Sequence, residues 1–465
     1  MIDIIIENGK VVFPDYTLDT SIAIDEGVIV ALGSSAYMQR ADRVIDAGGK
    51  IVIPGGIDPH CHINSQFMGV SSHDNYETAT MAAALGGTTT TMDFATQTDN
   101  LPLDAVKDRV AEADPQAVVD YCFHSCVTSS SDETMENLKE VIEYGAPSFK
   151  MFMVYRKEGV MMEDGAILGV IEQAKKHGGL PGFHSENVSI IEHLREKAIR
   201  EGNTDAIYHA LTRPNISEYE AISRVVLFAK YYGVPVYDYH MSCKEGVDLM
   251  RRTRKEGFPA YAETCTHYLL FTKEKLKGPD GKNFILSPAL RDQEDIDALW
   301  RGLADGSVST VGSDNATWDL EMKSRFGDSF DKVPNGAPGV EFRVPMLFSE
   351  GVQKGRLTLN RFVEVTSTNC AKIMGLYPKK GVLNVGSDAD VVIIDPKMEK
   401  VATTEESPYG MDWYPYEGMT MKGVPVMTIS RGKVVYEDGV FQGKPGEGRF
   451  LKRRLDPGLF TGVIA

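Results

Sequence analysis

Two histidines one residue apart, His60 and His62 in Asp-Pro-His-Cys-His, open a series of metal-seeking side chains. The series continues through Lys150 in Ser-Phe-Lys-Met-Phe, then His184, His240 and Asp314 in Val-Gly-Ser-Asp-Asn. Each stands at the end of an apolar run with strand character. On a strand, residues i and i+2 share a face, so His60 and His62 can offer both imidazoles to one cation, while Cys61 points the other way and reads as packing. In a closed parallel barrel all six side chains meet on one rim. That set describes a binuclear hydrolytic metal site. Taken singly, each has a plainer reading: a strand-end histidine is commonly a satisfied core residue, and Asp314 can cap a following helix. As a ligand, Asp314 can also carry a proton between an activated water and a leaving nitrogen.

Lys150 is flanked by Phe149, Met151, Phe152, Met153 and Val154, and a buried ammonium is costly unless paired or neutralised. Either its stem is buried and its charge snorkels to water, or the neutral amine has taken up carbon dioxide. The resulting carbamate offers two anionic oxygens that can bridge two cations. Tyr155, just beyond, can donate a phenolic hydrogen bond to a developing oxyanion. Ser287 in Leu-Ser-Pro-Ala-Leu-Arg and Asn335 in Val-Pro-Asn-Gly-Ala-Pro-Gly lie in loops stiffened by proline and glycine, suited to holding a ring amide or else ordinary loop positions. His73, His124, His177, His193, His209 and His267 read as structural, with His124, at a strand end, the best placed of them to line a cavity.

The elements that must position these groups alternate strand, loop and helix. Predicted strands are 51–57, 88–94, 118–123, 148–154, 180–184, 234–240, 260–265 and 308–313, with helical spacing between most of them, as in 80–85 and 221–232. The pattern predicts an α/β chain built on a (β/α)8 TIM-like barrel, whereas an open doubly wound sheet would keep the first and eighth strands apart. Residues 2–50 instead carry short alternating runs with tight turns, and 386–394 and 426–435 repeat that style. These two remote segments need a common apolar partner face and are expected to form one β-sandwich of antiparallel strands. The expected boundaries are 1–52 and 376–442 for the sandwich, 53–375 for the barrel, and 443–465 for a glycine-rich, partly basic tail that reaches a neighbouring subunit.

Composition narrows the partners. The 465 residues carry a formal charge of −17 and no long basic run, which disfavours nucleic acid and anionic membranes and favours a small-molecule substrate. No apolar stretch has membrane-spanning length, and the start carries acids where a signal peptide has bases, so a cytoplasmic location is expected. Six scattered cysteines lack the paired spacings of zinc knuckles or disulfide frameworks and read as reduced and buried.

These motifs in this order resemble the dihydropyrimidinase and D-hydantoinase branch of the cyclic amidohydrolases. Gly86-Gly87-Thr88-Thr89, Glu263-Thr264-Cys265, Asn335-Gly336 and Gly386-Ser387-Asp388-Ala389-Asp390-Val391 extend the likeness over nearly the whole chain. The resemblance implies two zinc ions per subunit bridged by an N6-carboxylated Lys150, and a homotetramer. It places His60, His62 and Asp314 on the more buried ion and His184 and His240 on the more exposed one, with Asp314 and Tyr155 catalytic and Tyr155, Ser287 and Asn335 holding the substrate. The implied reaction opens a C–N bond of a cyclic ureide or imide, giving an N-carbamoyl amino acid from a 5-substituted hydantoin or dihydropyrimidine. Phe67 and Met68 fall where such enzymes line the pocket for the ring substituent, and their apolar character favours bulky or aromatic groups. The chain departs from the pattern at Asn315, where the residue after the aspartate is usually histidine, and at Ala289, a common proline. Asn64 stands where dihydroorotases carry an arginine, which argues against an acidic pyrimidine. The alternatives are another cyclic amidase, imidase- or allantoinase-like, and a non-catalytic scaffold of the same fold, from which the retained ligands distinguish this chain.

Overall fold

The computed structural model describes residues 2–462. Its centre is a ring of parallel strands: Gly56–His62, Thr88–Thr96, Asp120–Cys126, Ser148–Phe152, Leu180–His184, Val236–Asp238, Ala260–Cys265, and an eighth in two pieces, Thr310–Gly312 and Asn315–Ala316. The first seven pair in chain order. The eighth pairs with the seventh through 310–312 and with the first through 315–316, which closes the barrel. Helices return between strands, among them Tyr76–Leu85, Asp132–Tyr144, Asp164–His177, Asn215–Tyr232 and Gln293–Asp305. Their ends follow local chemistry: Asn75 and Ser131 side chains accept the backbone N–H three residues on, and Gly145, Gly178, Gly233 and Gly306 stop helices in the left-handed conformation. Outward strand residues such as Phe123, Phe149 and Phe183 are fully buried against the helices, each side chain contributing about 1.5–3 kcal/mol.

Both termini build the second layer. One sheet runs Val28–Gly33, Ser21–Asp25, Ile2–Glu7, Ala41–Asp46; the other includes Lys433–Glu437, Thr420–Ser430, Val391–Val401, Ile51–Pro54 and Lys10–Val12. Isoleucines 4, 6, 22, 24 and 29 meet Val52, Val391, Ile393 and Ile429 between them. Two expectations change in detail. The predicted strand 51–57 is two strands, because Ile51–Pro54 pairs with 391–394 in the sandwich and the barrel begins only at Gly56. The sandwich is also not wholly antiparallel: Ile2–Glu7 runs parallel to Ala41–Asp46, and Lys10–Val12 to Ile51–Pro54.

The tail does not stand free of the body. Gly448 N donates to Ala117 O at 2.8 Å and Leu451 N to Tyr121 O at 2.8 Å, and Leu451, Leu455 and Leu459 plug the N-terminal floor of this chain's own barrel beneath Ile57, Met92 and Cys122. Leucines four apart find their apolar cover at home. The last three positions of the expected tail lie outside the described residues. A buried ion cluster joins floor to sandwich: Lys380 Nζ bonds Asp120 at 2.7 Å and Asp390 at 2.6 Å, and Asp388 stands at 3.0 Å. All six cysteines are free and buried, and no helix among the described residues is long and apolar enough to cross a membrane.

Candidate active site

The C-terminal ends of the barrel strands bring the six predicted ligands to one place. His60 and His62 close the first strand, Lys150 lies in the fourth, and His184 ends the fifth. His240 follows the sixth, and Asp314 sits in the break of the eighth. Tyr155, His240 and Asp314 hold φ of +65°, +44° and +49°, a left-handed conformation costing non-glycine residues about 1–3 kcal/mol each. Strain gathers here because these turns aim side chains inward.

At the deepest point His60 Nε2 and His62 Nε2 lie 3.3 Å apart, and Asp314 Oδ1 is 3.2 Å from each. Donor atoms tetrahedrally bound to one zinc at about 2.0–2.1 Å stand about 3.3 Å from each other. The residues therefore fit a cation. Glu263, fully buried, meets His60 Nδ1 at 2.6 Å and accepts from Tyr237, which leaves His60 Nε2 for the centre, the carboxylate–imidazole support that metal-binding histidines commonly carry. His184 is held the opposite way round: Glu186 Oε2 is 2.7 Å from His184 Nε2, which leaves Nδ1 for the centre, while Arg213 bonds both Glu186 carboxylate oxygens. His184 and His240 rings meet at 4.3 Å, and His240 Nδ1 is buried without a partner.

Burial pushes His60, His184 and His240 below the usual histidine range, so they are neutral donors. For Asp314 burial pulls upward, but His60 and His62 outweigh it and hold the carboxyl well below its ordinary value. Lys150 is fully buried, its Nζ has no hydrogen-bond partner, and it lies 4.0 Å from the centre of the Tyr239 ring. Burial lowers its pKa to about 8, with Asp314 and Glu263 offsetting only part of the effect. The amine is a buried polar group left without a partner among imidazoles and carboxylates.

Above this floor lies a cavity of about 140 Å³. Its floor shows His62, Lys150, His184, His240 and Asp314, with His60 beneath; its walls include Tyr155, Ser287, Asn335, Phe67, Phe152, Val160 and Trp318. Asn335 Nδ2 donates to Ser287 Oγ at 2.9 Å and to Tyr155 Oη at 3.3 Å, leaving both hydroxyl protons free to point at a ligand. Burial raises Tyr155 to about 12, so it stays a donor. Phe67 packs edge-on to Tyr155 at 4.9 Å. Met68 does not line this cavity: at φ +48° in the turn of the hairpin formed by Gln66–Phe67 and Val70–Ser71, it faces an adjoining pocket with Arg156 and Arg213.

His124 is not a cavity wall either; Ser148 Oγ at 2.7 Å and Pro59 O at 3.0 Å satisfy it in the interior. Asn64 turns outward to Glu112, and Ala289 is core. Asn315 accepts from Gly339 N at 2.9 Å and donates to Asp74 at 3.2 Å. Sequence reasoning gave no role to Glu186 or Arg213 and left Glu263 as a motif. The His-Ser-Glu spacing at 184–186, an acid two residues beyond a strand-end histidine, is the one signal that could have found Glu186. His267, read as structural, stands with Cys265 beside Asp314, ligand atoms of the three within 4.8 Å of one another.

The model of the amidohydrolase family matches residues 51–435. A D-hydantoinase of Geobacillus stearothermophilus is 41% identical over 454 residues, covering 97% of this chain and 96% of its own. A D-phenylhydantoinase of Escherichia coli is 38% identical over 459 residues, covering 97% and 98%. The crystal structure of dihydropyrimidinase from Brevibacillus agri superposes with a TM-score of 0.94 at 39% identity, over 97% of this chain and 99% of that one.

Proposed function

Because this chain belongs to the amidohydrolase family, in its D-hydantoinase and dihydropyrimidinase branch, and is a cyclic amidohydrolase, we propose that it opens 5-substituted hydantoins or dihydropyrimidines to N-carbamoyl amino acids. The observation that carries this reading is the convergence of His60, His62 and Asp314 beside the orphaned Lys150, directly beneath a cavity walled by Tyr155, Ser287 and Asn335.

In this reading His60, His62, His184, His240 and Asp314, together with Lys150 in carboxylated form, would hold two zinc ions. Carboxylation joins neutral Nζ to the carbon of carbon dioxide and releases one proton. When bound, the metal pair supplies a nucleophile at neutral pH and polarises the ring carbonyl. The chain's own groups do the rest. Ser287 and Asn335 orient the ring amide, and the Tyr155 hydroxyl donates to the carbonyl oxygen as charge develops on it. Asp314 takes the proton from the attacking water and delivers it to the leaving ring nitrogen. Phe67, Phe152 and Val160 give the substituent an apolar wall, which supports bulky or aromatic groups at position 5. A homotetramer in the cytoplasm belongs to the same reading.

Elemental analysis of protein purified without chelator, intact mass for the added carboxyl, and assays on 5-phenylhydantoin, dihydrouracil and succinimide test it. Two metals per chain and opening of 5-phenylhydantoin are expected. Absence of metal after reconstitution with zinc and bicarbonate overturns it.

A further inference from the structure

Three bonds tie the segment that follows Asp314 to the loop 335–339. Ala316 N donates to Ala337 O at 3.0 Å, Trp318 Nε1 to Asn335 O at 2.8 Å, and Asn315 Oδ1 accepts from Gly339 N at 2.9 Å. Residues 315–318 thus grip the loop that carries Asn335. Gly336 makes the close approach possible: at φ +128°, a Cβ there would lie 2.7 Å from the Ala316 side chain and 2.8 Å from Trp318 Nε1.

Lys323 ends this segment, fully buried and without an acidic partner. Its Nζ donates to Pro334 O at 2.8 Å and to Ile285 O at 3.1 Å, and lies 5.8 Å from the centre of the Trp413 ring. Pro334 precedes Asn335, and Ile285 stands two residues before Ser287, so one nitrogen ties together the two loops that present the ring-holding side chains. Gly336 N, donating to the same Ile285 O at 3.1 Å, completes the joint. Burying an amine costs several kcal/mol, and a leucine or methionine would fill the space without that cost. Burial lowers the Lys323 pKa well below the ordinary lysine range, and the neutral amine has two N–H donors for its two carbonyls.

We propose that Lys323 is a positioning residue for ring binding, fixing the Ser287 and Asn335 loops to each other and to the segment that follows Asp314. The proposal rests on the ring-opening reading above for its substrate, but the placement of the loops can be measured without turnover. It assigns Lys323 to substrate binding and not to metal holding, since none of its contacts reaches a ligand residue.

The test uses the full-length, zinc-loaded protein with Lys323→Met, near in shape but without donors, and Lys323→Gln, which keeps two N–H donors on a shorter side chain. Lys323→Met is expected to retain the wild-type metal content, to raise KM for 5-phenylhydantoin about 10- to 100-fold and to change kcat far less. Hydrogen exchange is expected to quicken at 284–287 and 333–337 and nowhere near His60 or His184. Lys323→Gln should fall between, and carries the test if the methionine variant does not fold. Folded, metal-loaded variants with unchanged KM and unchanged exchange overturn the proposal. If wild type itself opens no ring, the functional reading fails, and the exchange measurement alone decides the role of Lys323.

Discussion

Two lysines are buried at opposite ends of the same barrel, and their surroundings are opposite in kind. Lys380, at the floor, has Asp120, Asp388 and Asp390 within 3.0 Å. Burial alone would lower its pKa, but Asp390, Asp120 and Asp388 outweigh it and raise it. Lys150, at the mouth, has no partner, and burial lowers it to about 8. Burying a charge is costly unless it is paired, so the paired lysine is architecture, and the unpaired one is the amine that the proposed function carboxylates. The floor is also where the tail and the sandwich are stitched to the barrel, whereas the mouth holds three non-glycine residues in the left-handed conformation, Tyr155, His240 and Asp314.

The contrast meets its hardest test at Lys150. Lys150→Met is expected to lower turnover at least about a thousandfold and to reduce bound metal below two per chain. The same change should stabilise the metal-free protein. An amine with a folded pKa near 8 and an ordinary one near 10.5 is still charged when folded below pH 8, and burying that charge costs about 3 kcal/mol there. That cost fades as pH rises from 8 to 10.5, so wild-type stability climbs over this window and the methionine variant's does not. Urea midpoints across pH in chelator show it; equal slopes would break the comparison.

Tyr155→Phe removes one donor to the developing oxyanion and is expected to lower kcat about 10²–10³-fold with little change in metal content. Because Tyr155 holds its proton to about pH 12, the pH profile of the variant between 6 and 10 should parallel the wild type. A lost alkaline limb would mean the phenol ionises during turnover and belongs with Lys150 among groups poised to react.

Glu186→Gln is expected to weaken zinc binding about 10–100-fold, measured by chelator competition, because the amide holds His184 less firmly and leaves Arg213 short of charge. Affinity that stays unchanged would show that the carboxylate serves Arg213 alone, making it the mouth's counterpart of the floor cluster.

The convergence of the six strand-end residues was legible in the sequence because they sit where period and spacing fix direction. His60 and His62 share a face by the rule of two, and six strand-end residues converge once the strands form a ring. The fold was legible for the same reason, down to the sandwich shared by both termini. What escaped was set by turns and by distant pairing. Met68 leaves the cavity through a single left-handed turn residue. The split at Gly55 depends on 391–394 claiming Ile51–Pro54, a pairing more than three hundred residues apart. Glu186, Glu263 and Lys323 act through partners on other elements, which no local pattern announces.

The smallest effect on turnover, and a large one on stability, is expected at Lys380. Lys380→Met strands Asp120 and Asp390 in the interior, and breaking a buried pair by removing one partner costs about 3–5 kcal/mol. Its pH signature has the opposite sign to that of Lys150. With a folded pKa above the unfolded one, Lys380 contributes stability that is complete below about 10.5 and is lost as pH rises through the folded value. Arg431, donating to Asp120 at 3.0 Å, remains to hold part of the joint, so the variant should fold, with a lower urea midpoint. Its kcat and metal content should match the wild type, because the mouth is built from the other ends of the same strands. A Lys380 variant that lost metal would mean that floor and mouth are coupled through the strands, and that the division of labour between the two lysines is one of degree.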